Sequence, residues 1–373
     1  MSSVLDQSNV PYISVIVCIY NGQKVLLAAI ESLLNQQYSK DKYEIIFIDD
    51  GSSDNSRLIC EEILEKNKGT RLAITYGFKK NSGLSCARNT GIFYAKGKIV
   101  AFMDQDAVAD KHWLSEIEKS FNGDKDVGVV GGKVELLNGK SWFATFIHWI
   151  HYYMEDKKGK EIIPVIGTNM AFKKEVFEKV GGFFEEFKLM GDESSFIAIK
   201  VLPFFNKNEA EQAVVYHERP ALFRPWFRER FFNGHEYALV HYISRCYNKS
   251  DIKCGVYITF RLICFMFPLL LLSGVFFKLP LIMFVGLFSL ACFIYRSFWR
   301  DNIFIKARIL RRECGLLYFI FLFPLAIVVI GLGKMNEDYG FFRGLLKYRN
   351  TQVSDKISDE KLKYFQSNIE KGL

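Results

Sequence analysis

Two aspartates separated by one residue, Asp104 and Asp106, follow an apolar run from Lys98 to Met103 (KIVAFM). In a turn at a strand end, this spacing lets both carboxylates approach one ligand, and oxygen donors suit Mg2+ or Mn2+. A cation there stabilises charge on a departing group such as a diphosphate. A second acidic pair, Asp49-Asp50, ends the run Tyr43 to Ile48. A third, Asp192-Glu193 in Gly191-Asp192-Glu193, offers a carboxylate that could take a proton from an attacking hydroxyl. Two acids at a helix N-terminus would also favour the dipole there, so the pattern alone leaves both roles open. His217 closes Val214-Val215-Tyr216 as a nitrogen ligand or a structural histidine, and the planar fork of Arg88 suits a phosphate.

These residues need a frame that brings strand ends together. Ile13 to Ile19 (ISVIVCI), Tyr43 to Ile48, Arg71 to Tyr76 and Lys98 to Met103 read as strands. Val25 to Gln36, Arg57 to Lys66 and Leu84 to Ala95 read as helices, with Asp54 as an N-cap before the second. Continuous apolar strands alternating with helices predict a mostly parallel sheet covered on both faces. Ligands of such sheets bind at the carboxyl ends of the strands, where Asp49, Asp50, Asp104 and Asp106 fall. Val127 to Val215 is less regular and carries an aromatic stretch from Trp142 to Tyr153.

The chain has 373 residues, half of them hydrophobic, with 35 phenylalanines that become denser after Tyr257. Apolar runs at about 257–277, 279–295 and 316–333 are each near the lower length for a membrane-spanning helix. Arg296, Arg300, Lys306, Arg308, Arg311 and Arg312 lie between the second and third, which predicts a cytoplasmic loop and, one hairpin earlier, a cytoplasmic catalytic domain. Arg224 to Tyr247 reads as an amphipathic helix on the membrane surface. A net charge of +8 fits attraction to an anionic bilayer. No helix-turn-helix, zinc-finger or single-strand stacking pattern is present, so nucleic acid is not an expected partner. Eight scattered cysteines without a CxxC pair point to a reducing compartment, and Met1 to Tyr12 lacks the apolar core of a secretory signal.

Seven phrases stand in fixed order: VIVCIYNG from Val15, IFIDDGSSD from Ile46, NSGLSCARNTG from Asn81, FMDQD from Phe102, GTNMAFKKEVFEKVGGFF from Gly167, GDE from Gly191 and VVYH from Val214. As an ordered set, covering roughly residues 12 to 240, they resemble the family 2 glycosyltransferases of the GT-A fold. That resemblance implies a GT-A catalytic domain over 1–240, with a nucleotide-binding half at about 12–110 and an acceptor half at about 111–220. Amphipathic interface helices at 221–250, transmembrane helices within 251–335 and a polar tail at 336–373 would follow. Asp106 would hold Mn2+ or Mg2+, with Asp104 shared between metal and ribose and His217 as a further ligand. Asp50 would accept from the nucleobase beside Asp49, with Cys18, Tyr20 and Asn21 lining the donor pocket and Arg88 and Asn89 facing the diphosphate. Thr168, Asn169 and Trp142 would contribute to the acceptor side.

Family members usually show Glu-Asp where this chain has Asp192-Glu193; the aligned phrase puts Glu193 on the base position and Asp192 beside it. The expected activity is inverting, metal-dependent transfer of one sugar from a nucleotide sugar, a UDP-sugar, to a lipid-linked saccharide or glycolipid. The expected location is the cytoplasmic face of the cell membrane, with the protein multi-pass. Alternatives are a polyprenyl-phosphate sugar synthase, a processive polysaccharide synthase, whose QxxRW motif is missing, and a membrane-bound nucleotide-binding pseudo-transferase.

Overall fold

The computed structural model describes residues 12–122, 124–139, 141–152, 165–187, 196–248 and 334–346, with positions 287, 290 and 332. The three apolar runs, the basic loop and the expected base pair Asp192-Glu193 lie outside the described residues. Among the described residues, no helix is long and apolar enough to cross a membrane.

Four strands read from the sequence form one half of an eight-stranded sheet: β1 (Ile13–Ile19), β2 (Tyr43–Asp49), β3 (Ala73–Phe78) and β4 (Ile99–Met103). They pair in parallel in the order β3-β2-β1-β4. Between them run α1 (Leu26–Leu34), α2 (Ser56–Lys66) and α3 (Leu84–Tyr94). Successive side chains of a strand point to opposite faces, and both faces here are buried. Val15, Val17, Ile45 and Phe47 enter one apolar cluster, while Ile16, Ile46 and Ile48 enter the other. The first helical turn of α2 starts earlier than the sequence suggested. The N-cap position therefore falls on Asn55 and not on Asp54, whose carboxylate lies one residue outside it and accepts from the Ser56 N–H at 3.0 Å and from the Gln23 N–H at 3.0 Å.

The second half is mixed. β5 (Ala107–Ala109), α4 (Trp113–Ser120), β6 (Val127–Leu136), α5 (Trp142–Tyr152), β7 (Asn169–Lys173), α6 (Lys174–Val180) and β8 (Asn206–His217) follow, with a short π-helical turn at Ile197–Val201. The sheet continues β4-β7-β6-β8-β5. β7 runs antiparallel to β4 and β6, β6 and β8 are parallel, and β5 is antiparallel to β8. "Mostly parallel" thus holds for the first four strands, and the whole sheet is mixed.

α7 (Phe223–Asn248) occupies the span read as a membrane-surface helix. It does not present one uninterrupted apolar side outward: Trp226, Ala238 and Leu239 are buried against the domain. The helix at 334–346 returns to the same body. Phe341 is fully buried in the cluster that holds Ile16 and Phe172. The two helices cross at Gly234, where an added Cβ would lie 1.7 Å from the Glu337 carbonyl oxygen, so no larger residue fits.

Candidate active site

Turns at the carboxyl ends of β1, β2 and β4 build one rim. Asp49 and Asp50 leave β2 in opposite senses. The Asp49 carboxylate is buried, accepting from Ser52 N–H at 2.7 Å and from the Tyr76 hydroxyl at 3.0 Å. Asp50, also buried, accepts from Ser82 N–H at 3.0 Å, Gly83 N–H at 2.8 Å and the Lys79 ammonium. Lys79 also donates to the Ser82 hydroxyl. The loop before α3 is therefore wrapped on the Asp50 carboxylate, and Gly83 takes φ +100°, a region that favours glycine.

Tyr20 closes β1 with its ring exposed and both backbone groups held by one amide. Its N–H donates to Gln105 Oε1 at 3.0 Å, and its carbonyl accepts from Gln105 Nε2 at 3.1 Å. Asn21, at φ +51°, ties this turn to the next: its N–H donates to Ser52 Oγ at 2.9 Å and its Oδ1 accepts from Ser53 N–H at 2.9 Å. Burial pushes the Cys18 thiol up to about 12 although Arg88 pulls the other way, so it stays a neutral wall group.

Asp104 and Asp106 leave β4 around Gln105. Asp104 Oδ2 accepts from the Thr168 hydroxyl at 2.6 Å, and its Oδ1 lies 3.9 Å from the guanidinium of Arg88. Arg88 is buried, with its guanidinium 5.5 Å from the Phe183 ring centroid. The β5–β8 ladder sets Ala107 opposite His217, bringing His217 Nε2 to 3.1 Å from Asp106 and 3.9 Å from Asp104. Burial disfavours the imidazolium, yet the hydrogen bond and charge of Asp106 outweigh it and raise the His217 pKa above its usual 6.5. Burial raises the pKa of Asp106, but His217 outweighs it and leaves that carboxyl below its usual value.

One ligand atom from each of Asp104, Asp106 and His217 lies within 4.8 Å of the others. Two carboxylate oxygens and an imidazole nitrogen form a hard-to-borderline donor set that fits Mn2+ or Mg2+. No second group of this kind occurs among the described residues.

Two asparagines read as site residues have their amides committed within the fold. Asn89 Nδ2 donates to the Phe183 carbonyl at 3.0 Å and to Glu185 at 3.2 Å, and Asn89 Oδ1 accepts from Phe183 N–H at 2.8 Å. Asn169 accepts from the Trp113 indole and donates to the carbonyls of Lys133 and Ala213, each at 2.8 Å. Trp142 begins α5 with its ring exposed, 5.6 Å from that of Phe143. Lys79, Gln105 and the Ser82-Gly83 amides escaped the sequence reading. Gln105 sits inside the DxD phrase and could have been found there; a lysine in the loop before α3 carries no such mark.

Sheet order and rim define a GT-A-like α/β fold with a mixed sheet. The chain superimposes on the mannosyltransferase PcManGT from Pyrobaculum calidifontis, solved in complex with GDP-Man and Mn2+, with a TM-score of 0.54, 18% identity and 87% of each chain covered. The glycosyl transferase family 2 model matches residues 14–181. That segment is similar to the family 2 glycosyltransferases, and these likenesses support a transferase enzyme. "Probable glycosyltransferase YdaM" of Bacillus subtilis is 24% identical over 284 residues, 73% of this chain and 67% of that protein. "Glycosyltransferase AglE" of Haloferax volcanii is 29% identical over 178 residues, 47% of this chain and 57% of that protein. The chain thus spans little more than half the length of AglE in that match.

Proposed function

We propose that the protein transfers a single sugar, with inversion, from a UDP-sugar to a lipid-linked saccharide or glycolipid at the cytoplasmic face of a membrane. The convergence of Asp104, Asp106 and His217 on the rim that also carries the buried Asp50 carboxylate is the observation that carries this reading. Asp50 is an acceptor held by Lys79 and two backbone amides, suited to the N–H of a nucleobase, and the exposed Tyr20 ring offers a stacking face. Mn2+ or Mg2+, held by Asp104, Asp106 and His217, would neutralise charge on the departing diphosphate. Arg88 adds a fixed positive charge behind Asp104, and Thr168 orients the Asp104 carboxylate. Glu193, or Asp192 beside it, takes the proton of the acceptor hydroxyl as that oxygen attacks the sugar from the face opposite the diphosphate.

Membrane attachment is proposed from the three apolar runs and the basic loop, with the catalytic domain cytoplasmic. The 334–346 helix packs on the catalytic domain, so the chain leaving α7 and the chain entering that helix belong to one face of the membrane. The direct test is incubation of membranes holding the full-length protein with labelled nucleotide sugars and Mn2+. The anomeric configuration of the extracted product is then read by NMR. A labelled lipid with inverted configuration is expected; a product of retained configuration, or a soluble product only, refutes the proposal.

A further inference from the structure

Four large apolar side chains beside the site face solvent: Leu137 (44% exposed), Trp142 (61%), Leu222 (69%) and Phe223 (39%). They belong to two segments joined into one ledge. Leu137 N–H donates to the His217 carbonyl at 3.0 Å. Asn138 and Arg219 exchange two hydrogen bonds, at 2.8 and 3.1 Å. The Phe143 ring sits 5.6 Å from Trp142, 6.4 Å from Phe223 and 6.2 Å from the buried Trp226. Apolar residues rarely gather this way on a monomer surface without a covering partner. The inner edge of this ledge is His217, so whatever covers it meets the mouth of the active site.

Charge and chain path identify the cover. Arg224 and Arg228 are exposed on the same end of α7, while Glu229 is tied to Arg230 at 2.7 Å; Glu218 is the exposed acid on the preceding segment. Exposed arginines interleaved with Trp, Phe and Leu match a bilayer interface with anionic headgroups. The path of the chain agrees. The third apolar run ends next to the 334–346 helix, whose first residues touch the same end of α7. Asn336 donates to the Phe227 carbonyl, and the Tyr339 ring lies 5.6 Å from that of Phe231. At 1.5 Å rise per helical residue, Phe227 is only about 6 Å along α7 from Phe223. A run that ends in a membrane at residue 333 therefore puts the bilayer boundary at the level of the ledge.

We propose that Leu137, Trp142, Leu222 and Phe223 enter the headgroup–acyl boundary of an anionic bilayer, with Arg224 and Arg228 on lipid phosphates. The mouth at His217 then opens along the membrane plane rather than into bulk water. This rests on the membrane reading above and adds the docking surface and its orientation.

The test uses full-length protein in nanodiscs of phosphatidylcholine and phosphatidylglycerol, with lipids brominated near the headgroup end of the acyl chain. Bromolipid should quench a tryptophan component that disappears in Trp142→Phe. That component should fall at least twofold in the Arg224→Gln/Arg228→Gln variant or in discs without phosphatidylglycerol. Trp142 open to aqueous acrylamide and untouched by bromolipid overturns the proposal. Trp142 shielded from both quenchers also overturns it, since a second copy or another protein then covers the ledge. Protein that does not co-migrate with discs at all refutes the membrane reading itself, and this inference with it.

Discussion

Thr168 and Asn169 are neighbours in one phrase, and the structure gives them opposite duties. Asn169→Ala removes an amide that is 1% exposed and makes three hydrogen bonds, to Trp113, Lys133 and Ala213. Each bond is worth about 1 kcal/mol net, and buried partners left unsatisfied cost about 1–3 kcal/mol each. Water entering the gap will satisfy some of them, so the loss should be about 3–5 kcal/mol, at the high end for a point mutant. For a domain of this size about 1 kcal/mol moves Tm by roughly 2–4 °C. Thermal unfolding of the full-length protein in detergent should therefore fall by about 10 °C. The apparent KM for acceptor should barely move in whatever fraction stays folded at low temperature. Thr168→Val should do the reverse: Tm little changed, because valine keeps the buried side chain's shape and only one hydrogen bond is lost, and turnover down roughly tenfold from loss of that bond to the Asp104 carboxylate. A stable Asn169→Ala enzyme with a raised acceptor KM would refute this division and restore Asn169 to the substrate.

Chelation should abolish transfer and Mn2+ or Mg2+ should restore it, with Asp106→Ala inactive and Asp104→Ala impaired; full activity in chelator refutes the metal role. Metal must displace the proton that Asp106 holds on His217, so calorimetric affinity should rise with pH through the raised His217 pKa, with proton release. Without metal the sign is opposite: the His217–Asp106 pair stabilises the fold fully below pH 6.5 and fades as pH climbs through the raised value. Glu193→Gln should lose about 10²–10⁴-fold in kcat with donor affinity kept, and Asp192→Asn should lose less; the reverse order would shift the register by one residue. A cysteine at the exposed Tyr339 should react with impermeant maleimide from the same membrane face as one at Lys66 on α2, and labelling from opposite faces would refute the shared side.

What the sequence displays depends on how a strand is buried. β1, β2 and β4 are covered on both faces, so each is a run of Ile, Val and Phe that no surface element would carry. β8 lies near the sheet edge and reads NKNEAEQAVVYH, half of it facing solvent, and its polar start hides it from any search for apolar runs. β6 is hidden differently. Its glycines are imposed by neighbours: a Cβ on Gly128 would lie 2.6 Å from Phe205, and one on Gly132 2.4 Å from the Asn169 amide. The aspartates and His217 were legible because chemistry restricts their type and spacing. Lys79 was not, since a lysine's partner is set by tertiary contact and not by any local pattern. Asn89 and Asn169 show the converse limit. A phrase marks a residue as constrained without saying whether a ligand or the fold constrains it.

Gln105 shows how closely those two constraints are joined. Within Asp104-Gln105-Asp106 it is the residue with no charge to offer, yet its amide reads the Tyr20 backbone as a neighbouring strand would, donor to acceptor and acceptor to donor. The bracing works only because residue 22 is glycine: a Cβ there would lie 2.3 Å from Gln105 Oε1. The turn after β1, which presents the Tyr20 ring, is thereby fixed to the turn after β4, which presents both aspartates. Gln105→Ala should leave every ionisable group in place and still weaken donor binding, because the two turns lose their shared reference. Gly22→Ala should reproduce that defect by forcing the same amide aside. If donor affinity, read by titration calorimetry with a nucleotide diphosphate and Mn2+, is unchanged in both variants, the turns are held by their own loops and the amide is only a passenger. A matched loss in the two single variants, no greater when they are combined, is the result expected of one shared contact.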